Sequence, residues 1–247
     1  MMENAQLIGL SQQMALRRRM DVIANNIANL QTSGFRGESV VFEEYQMAKA
    51  EMNAPSRADS IISYVVDRAS YRDHSAGTMR QTGSPLDVAI GGQGFFTVET
   101  PDGPAYTRDG GFQIDANGQL VTAAGYPVMS EGGPITFAAD ESGITFSADG
   151  TVSSSAGEKG RLAIVTVDDV SLLKAQGDNV FAAGDAVAQP AEDPRLMQGV
   201  LEGSNVSGVT QMTDMVSVNR TYQSIAKIIE RTDELRRSTL STLSRNS

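Results

Sequence analysis

With 247 residues, 40% of them apolar and 20% charged, the chain is long enough for one sizeable domain or two smaller ones, and no apolar run approaches the ~18 residues of a membrane span. Zero cysteines exclude disulfides, thiol nucleophiles, zinc fingers and iron–sulfur clusters, and a single histidine, His74, leaves no His pair for a metal. The net charge of −10 is uneven: residues 1–36 hold four Arg against Glu3 and Asp21, residues 203–247 hold six Lys/Arg against four Asp/Glu, so each end is +2 and the middle is −14. An acidic middle disfavours nucleic acid, which needs a positive footprint, and favours solubility.

From Ala5 to about Gln31 there is no Pro, one internal Gly9, and an abundance of Leu, Met, Ala, Gln and Arg. This predicts a helix of about 40 Å, with Asn4 as N-cap and Ser33-Gly34 as the stop. At ~100° per residue, Leu7, Leu10 and Met14 share one face, whereas Leu16, Met20, Ile23, Ile27 and Leu30 lie on nearly the opposite one. A helix lying on its own domain needs one apolar face, so a stripe that changes sides predicts different neighbours along its length. Arg17, Arg18 and Arg19 are followed by Asp21 and several Asn, which is no apolar core of a secretory signal. If the protein leaves the cytoplasm, another route takes it.

The segment Glu38–Arg57, rich in Glu, Met and Ala with Pro55 near its end, reads as an irregular or partly helical connector. Short β-branched or aromatic stretches follow at 60–72, 87–100, 111–114, 119–122, 135–137, 143–146, 151–153 and 161–167. Asp102-Gly103, Asn117-Gly118 and Asp149-Gly150 punctuate them as hairpin turns, the second of type I′. An internal echo at an offset of 32 matches Phe112, Ile114, Asn117, Gly118 and Leu120 with Ile144, Phe146, Asp149, Gly150 and Val152, predicting two hairpins of one design.

A second helix is predicted over Val206–Leu243, where Met215, Val218, Tyr222, Ile225 and Ile229 follow at spacings of 3, 4, 3 and 4. Val209, Met212 and Val216 fall on the other side. The expected fold class is thus α+β, with two helical ends around a β-rich middle of short strands and hairpins.

Sites for chemistry are few. Ile90-Gly91-Gly92-Gln93-Gly94 precedes the strand-like Phe95-Phe96-Thr97-Val98, so it reads as a turn or bulge and not as a phosphate cradle, which needs a helix there. Asp115-Ala116-Asn117-Gly118-Gln119 opens like a calcium loop, but the sixth and twelfth positions are Leu120 and Tyr126 instead of Gly and Glu. In Asp73-His74-Ser75 the three residue types of a hydrolase triad are consecutive, so on an extended chain they point to alternating sides; His74 is expected to be an exposed loop residue. Neither Asp168-Asp169 nor Glu43-Glu44 forms an acid–base pair, for the same reason. No catalytic, cofactor or metal residue is predicted, and no small-molecule substrate.

Ala24-Asn25-Asn26-Ile27-Ala28-Asn29, followed by Thr32-Ser33-Gly34-Phe35-Arg36, resembles the N-terminal signature of bacterial flagellar axial proteins: rod, hook and hook-associated proteins. Leu201-Glu202-Gly203-Ser204-Asn205-Val206, with Asn219-Arg220-Thr221-Tyr222, is similar to their C-terminal signature. Ser84-Pro85-Leu86-Asp87-Val88-Ala89-Ile90, Gly94-Phe95-Phe96-Thr97-Val98 and Tyr106-Thr107-Arg108-Asp109-Gly110 resemble the β domain of the rod and hook branch. Length, Met2-Glu3-Asn4 and Met197–Val206 look most like proximal-rod members, with distal-rod members as the alternative.

The resemblance implies a torque-transmitting structural subunit of the basal-body rod. It implies a discontinuous, coiled-coil-like helical domain from 1–34 and 203–247, whose helices would pair with each other and with neighbouring subunits around a hollow tube, a connector with an extended strand over 35–80, and an all-β outer domain over 81–202. Delivery to the periplasm would be by the flagellum's own type III export apparatus, and the partners would be further copies and other rod proteins. The interface residues expected are Leu7, Leu10, Met14, Ile23, Ile27 and Leu30 with Val209, Met212, Met215, Val218, Tyr222, Ile225 and Ile229. Asn25, Asn26 and Asn29 are expected to hydrogen-bond across tightly packed helices. A reading of another class is a ligand-binding β module dimerised by its helices, but the middle offers no Trp and few aromatics as a platform.

Overall fold

A computed structural model describes residues 2–48 and 61–245. The chain forms two compact units, the first of the terminal helices with 38–48 and 61–72, the second of 29–37 and 73–206. It is a mixed α+β protein in which nearly all regular structure between the helices is antiparallel strand.

In the first unit, α1 (Met2–Ala28) lies against α2 (Gly208–Arg245) and against the hairpin of β1 (Glu38–Ala48) and β2 (Ile61–Arg72). The helices run in opposite directions: a Cβ on Gly9 would come within 2.9 Å of Ile229, while Asn26 reaches Gln211. Helix α1 begins before Asn4, so the expected cap lies inside it, and it ends at Ala28, five residues short of Ser33.

The connector expectation is overturned over 38–48, which pairs with 61–72 in register from Glu38↔Arg72 to Ala48↔Ile61, with one bulge after Val41. Glu, Met and Ala favour helix intrinsically, but Val40, Val41, Phe42 and Tyr45 suit a pleated ladder, and a partner strand outweighs a weak local preference. Residues 49–57 of that segment lie outside the described residues.

In the second unit a six-stranded antiparallel sheet runs in the order Lys174–Gly177, Val180–Ala182, β6 (Gly103–Thr107), β5 (Phe95–Thr100), Ile164–Val167, Ala188–Pro190. Alternation along β5 divides the core. Phe96 and Val98 join the main cluster with Leu120, Val128, Ile135 and Val152, while Phe95 packs on the other face with Tyr106, Leu173 and Phe181. Two short strands from early in the unit, β3 (Met79–Gln81) and β4 (Val88–Ile90), pair with two from its end, Val200–Glu202 and Leu196–Gln198.

The two echoing hairpins share their closure. Asp115 and Ser147 each donate their N–H to the carbonyl four residues on, and Gly118 and Gly150 each donate back to those same residues, with φ of +80° and +96°. Neither is type I′, because Asn117 keeps a negative φ: the loop is one residue longer and its left-handed position falls on the glycine alone. The type I′ signature belongs to Asp178-Asn179, with φ of +45° and +60°, between the paired residues Gly177 and Val180.

Candidate functional site

On the helices, the apolar positions separate into two sets. Ile23 and Val218 (4% exposed) are buried; Ile27, Met215, Tyr222, Ile225 and Ile229 are half-buried, the last two beside Gly9. Leu10, Met14 (67%), Val209 (80%), Met212 (57%) and Val216 remain exposed. The heptad seam of α2 thus faces its own unit, and the stripe on its other side does not. Leu30 is half-buried beside Gln31, Ser33, Thr78, Arg80, Gly203 and Ser204 along a groove of about 360 Å³. The side chain of Leu7 lies outside the described residues.

Of the asparagines, Asn26 is buried. Its amide donates to the Glu38 carbonyl (2.8 Å) and to Gln211 (3.3 Å), and its oxygen accepts the Glu38 N–H (2.9 Å), so a helix side chain closes the start of β1. Asn25 is exposed, and Asn29 accepts from the Thr32 hydroxyl (3.0 Å) in the turn after α1.

The second unit contains an arrangement that sequence reasoning did not anticipate. Glu202, whose side chain is wholly buried, holds Arg36 Nη2 on Oε1 (2.8 Å) and Arg108 Nε on Oε2 (2.7 Å). Oε1 also accepts the Gly77 N–H (2.9 Å), and the Glu202 carbonyl accepts the Gly34 N–H (2.7 Å). Arg108 Nη1 donates to the carbonyl of Gly94 and Nη2 to those of Ile90 and Gly92, and Arg36 Nη1 donates to that of Ser75. Burial lowers the Arg36 pKa, an effect that the Glu202 carboxylate opposes. Backbone approaches closely here: at Gly34 (φ +65°) a Cβ would meet Arg108 and Asp109 backbone at 2.5 Å, and at Gly77 it would meet the Gly203 carbonyl at 1.9 Å. Arg36, Arg108 and Glu202 each end or sit within a glycine-containing motif, but nothing in those motifs says which charge meets which.

The cleft beside this hub, about 510 Å³, is lined by Arg36, Arg108, His74, Phe95 and the Gly92–Gly94 turn. Arg108 and both Arg36 Nη groups bond protein acceptors here. His74 departs from the expected exposed position: its ring packs edge-on against Phe181 (5.7 Å) and Phe95 (6.4 Å) and is half-buried. The neighbouring Asp73 accepts the Ser75 N–H in a local turn, which lowers its pKa. Asp109 is pushed the other way, chiefly by burial, although the Gly111 N–H partly offsets it. Among the described residues no group of three metal-binding side chains occurs, and no helix is long and apolar enough to cross a membrane.

Comparison with known proteins gives three matches in chain order: "Flagella basal body rod protein" over residues 7–36, "Flagellar hook protein FlgE/F/G D1 domain" over 89–154, and "Flagellar basal body rod FlgEFG protein C-terminal" over 197–242. Arg36, Arg108 and Glu202 fall one in each. The chain is 40% identical to the flagellar basal-body rod protein FlgF of Caulobacter vibrioides, covering 98% of both. It is 33% identical to FlgF of Rhizobium meliloti (92% of both), and 35% identical to the rod protein FlgG of Agrobacterium fabrum (90% of this chain, 92% of the relative). These proteins are structural and not enzymes. The chain therefore belongs to the flagellar basal-body rod family, on its FlgF branch rather than its FlgG branch.

Proposed function

We propose that this rod subunit belongs to the proximal rod, and that it joins its neighbours through the exposed stripes of its terminal helices. The helical pair of 1–34 and 203–247 acts as the assembly domain, packing coiled-coil fashion with copies of itself and with other rod proteins around a hollow axis. The β-rich part over 81–202 lies outside that tube. The carrying observation is that Met14 on α1 and Val209 and Met212 on α2 are more than half exposed, while Val218 of α2 is buried. A soluble chain rarely leaves so regular an apolar row open unless another surface covers it. Contacts between unlike faces, repeated with a rotation that does not close, generate a helical filament able to transmit torque across many interfaces. Delivery by the flagellar export apparatus to the periplasm completes this reading.

The chain has no cysteine, so M14C and M212C variants carry one thiol each. Disulfide or short-linker crosslinking in isolated basal bodies is expected to join each variant to an adjacent subunit. Basal bodies that contain both variants but yield only uncrosslinked chain would overturn the assignment of these stripes.

A further inference from the structure

The bonds around Glu202 tie together three segments far apart in sequence. Segment 33–37, just after α1, meets 202–205 through Gly34 N–H to the Glu202 carbonyl (2.7 Å), Arg36 to Glu202 (2.8 Å), Gly37 N–H to Asn205 Oδ1 (2.8 Å) and Asn205 N–H to the Phe35 carbonyl (3.4 Å). Segment 73–78 meets the same four residues through Gly77 N–H to Glu202, Gly203 N–H to the Thr78 carbonyl (2.8 Å) and Asn205 Nδ2 to the Asp73 carbonyl (2.7 Å). Between themselves, 33–37 and 73–78 share Asp73 N–H to the Gly37 carbonyl (2.9 Å) and Arg36 to Ser75. A further tie to segment 33–37 is Asn179 Nδ2 to the Ser33 carbonyl (2.6 Å).

We infer that residues 202–205 are a latch: segments 33–37 and 73–78 become fixed on the β-rich unit together, and only when the segment leading into α2 is in place. Two physical facts drive this. Each contact closes a loop of tens to more than a hundred residues, so no single hydrogen bond offsets the closure entropy, whereas several sharing one closure do. Before Glu202 arrives, docking Arg36 and Arg108 would also bury two guanidinium groups without their counter-charge. A chain that emerges N-terminus first therefore keeps the segment behind α1 open until its last fifth is present. The strand pairs β3 with Val200–Glu202 and β4 with Leu196–Gln198 impose the same order on the edge of the unit.

Pulse-labelled hydrogen exchange during refolding of the full chain tests this. The Gly34, Gly37 and Gly77 amides should gain protection at the rate of Gly203 and after Val98 and Ala105 of the central sheet. Protection of Gly34 and Gly37 ahead of Gly203 would overturn the latch. At equilibrium, N205A in the full chain should raise exchange about tenfold at Gly34, Gly77 and Gly203, none of which donates to the Asn205 side chain, and leave Val98 unchanged. A change confined to Gly37, or spread equally to Val98, would also overturn it. E202Q keeps the shape and should act on the same amides more strongly; because it is the variant at risk of misfolding, N205A decides.

Discussion

Glu202 carries two arginines with all three side chains buried, and the consequence of removing it differs from that of losing a surface ion pair. Truncation leaves two buried guanidinium groups facing each other, so E202A is expected to cost about 3–5 kcal/mol, read as a fall in the urea midpoint. The exposed pair Arg237–Asp233 (2.7 Å) makes the contrast: D233N should change stability by no more than about 0.5 kcal/mol. Glu141 is a third case. The Lys159 ammonium, then the Ser154 hydroxyl and the Ala138 N–H, hold its carboxyl down to about 2. A lowered acid pKa contributes stability that is complete above the unfolded value of 4.5 and is lost as pH falls toward 2. Opening of the Ala138 amide should therefore rise as pH drops through that window, and E141Q should flatten the profile. None of these partnerships was visible in sequence. Arg36, Arg108 and Glu202 could be read as motif letters, but 94 residues separate one pair and 166 the other, and no local pattern encodes contacts at that distance.

Elements were legible in proportion to their length. Two helices with long periodic patterns appear close to their expected bounds, and Asp87–Thr100 contains β4 and β5 with the glycine turn between them. Missed were strands such as Lys174–Gly177 and Gly157–Arg161, which are exposed or glycine-rich and held by neighbours instead of by β-branched side chains. The first strand, Glu38–Ala48, was misread because its composition argues for helix and its partner lies more than a dozen residues away. The α2 periodicity was more informative: the spacing separates 218 from 209, 212 and 216 onto opposite faces, and 218 is buried while the other three are exposed. That split predicts opposite phenotypes on one helix. V218A should lower stability by about 2 kcal/mol, whereas M212S should leave the urea midpoint within about 0.5 kcal/mol and reduce recovery of the chain in purified basal bodies.

At the scale of the molecule, the function was legible because three signature segments stand in the right order, and their spatial meeting point was not. The charge map, by contrast, needed no structure: the stretch between the basic ends carries −14. Combined with the uncovered stripes of Leu10, Met14, Val209 and Met212, this makes each molecule both sticky and mutually repellent. At low salt the like-signed bodies should hold one another apart; at 1 M, where the screening length shrinks to roughly 3 Å, that cushion disappears while greasy contact strengthens. Sedimentation velocity should then report monomer in dilute buffer and larger species as sodium chloride or sulfate is raised, the reverse of an association driven by opposite charges. A subunit so charged should stay dispersed in dilute solution and adhere only where a crowd of its own kind brings the stripes within reach.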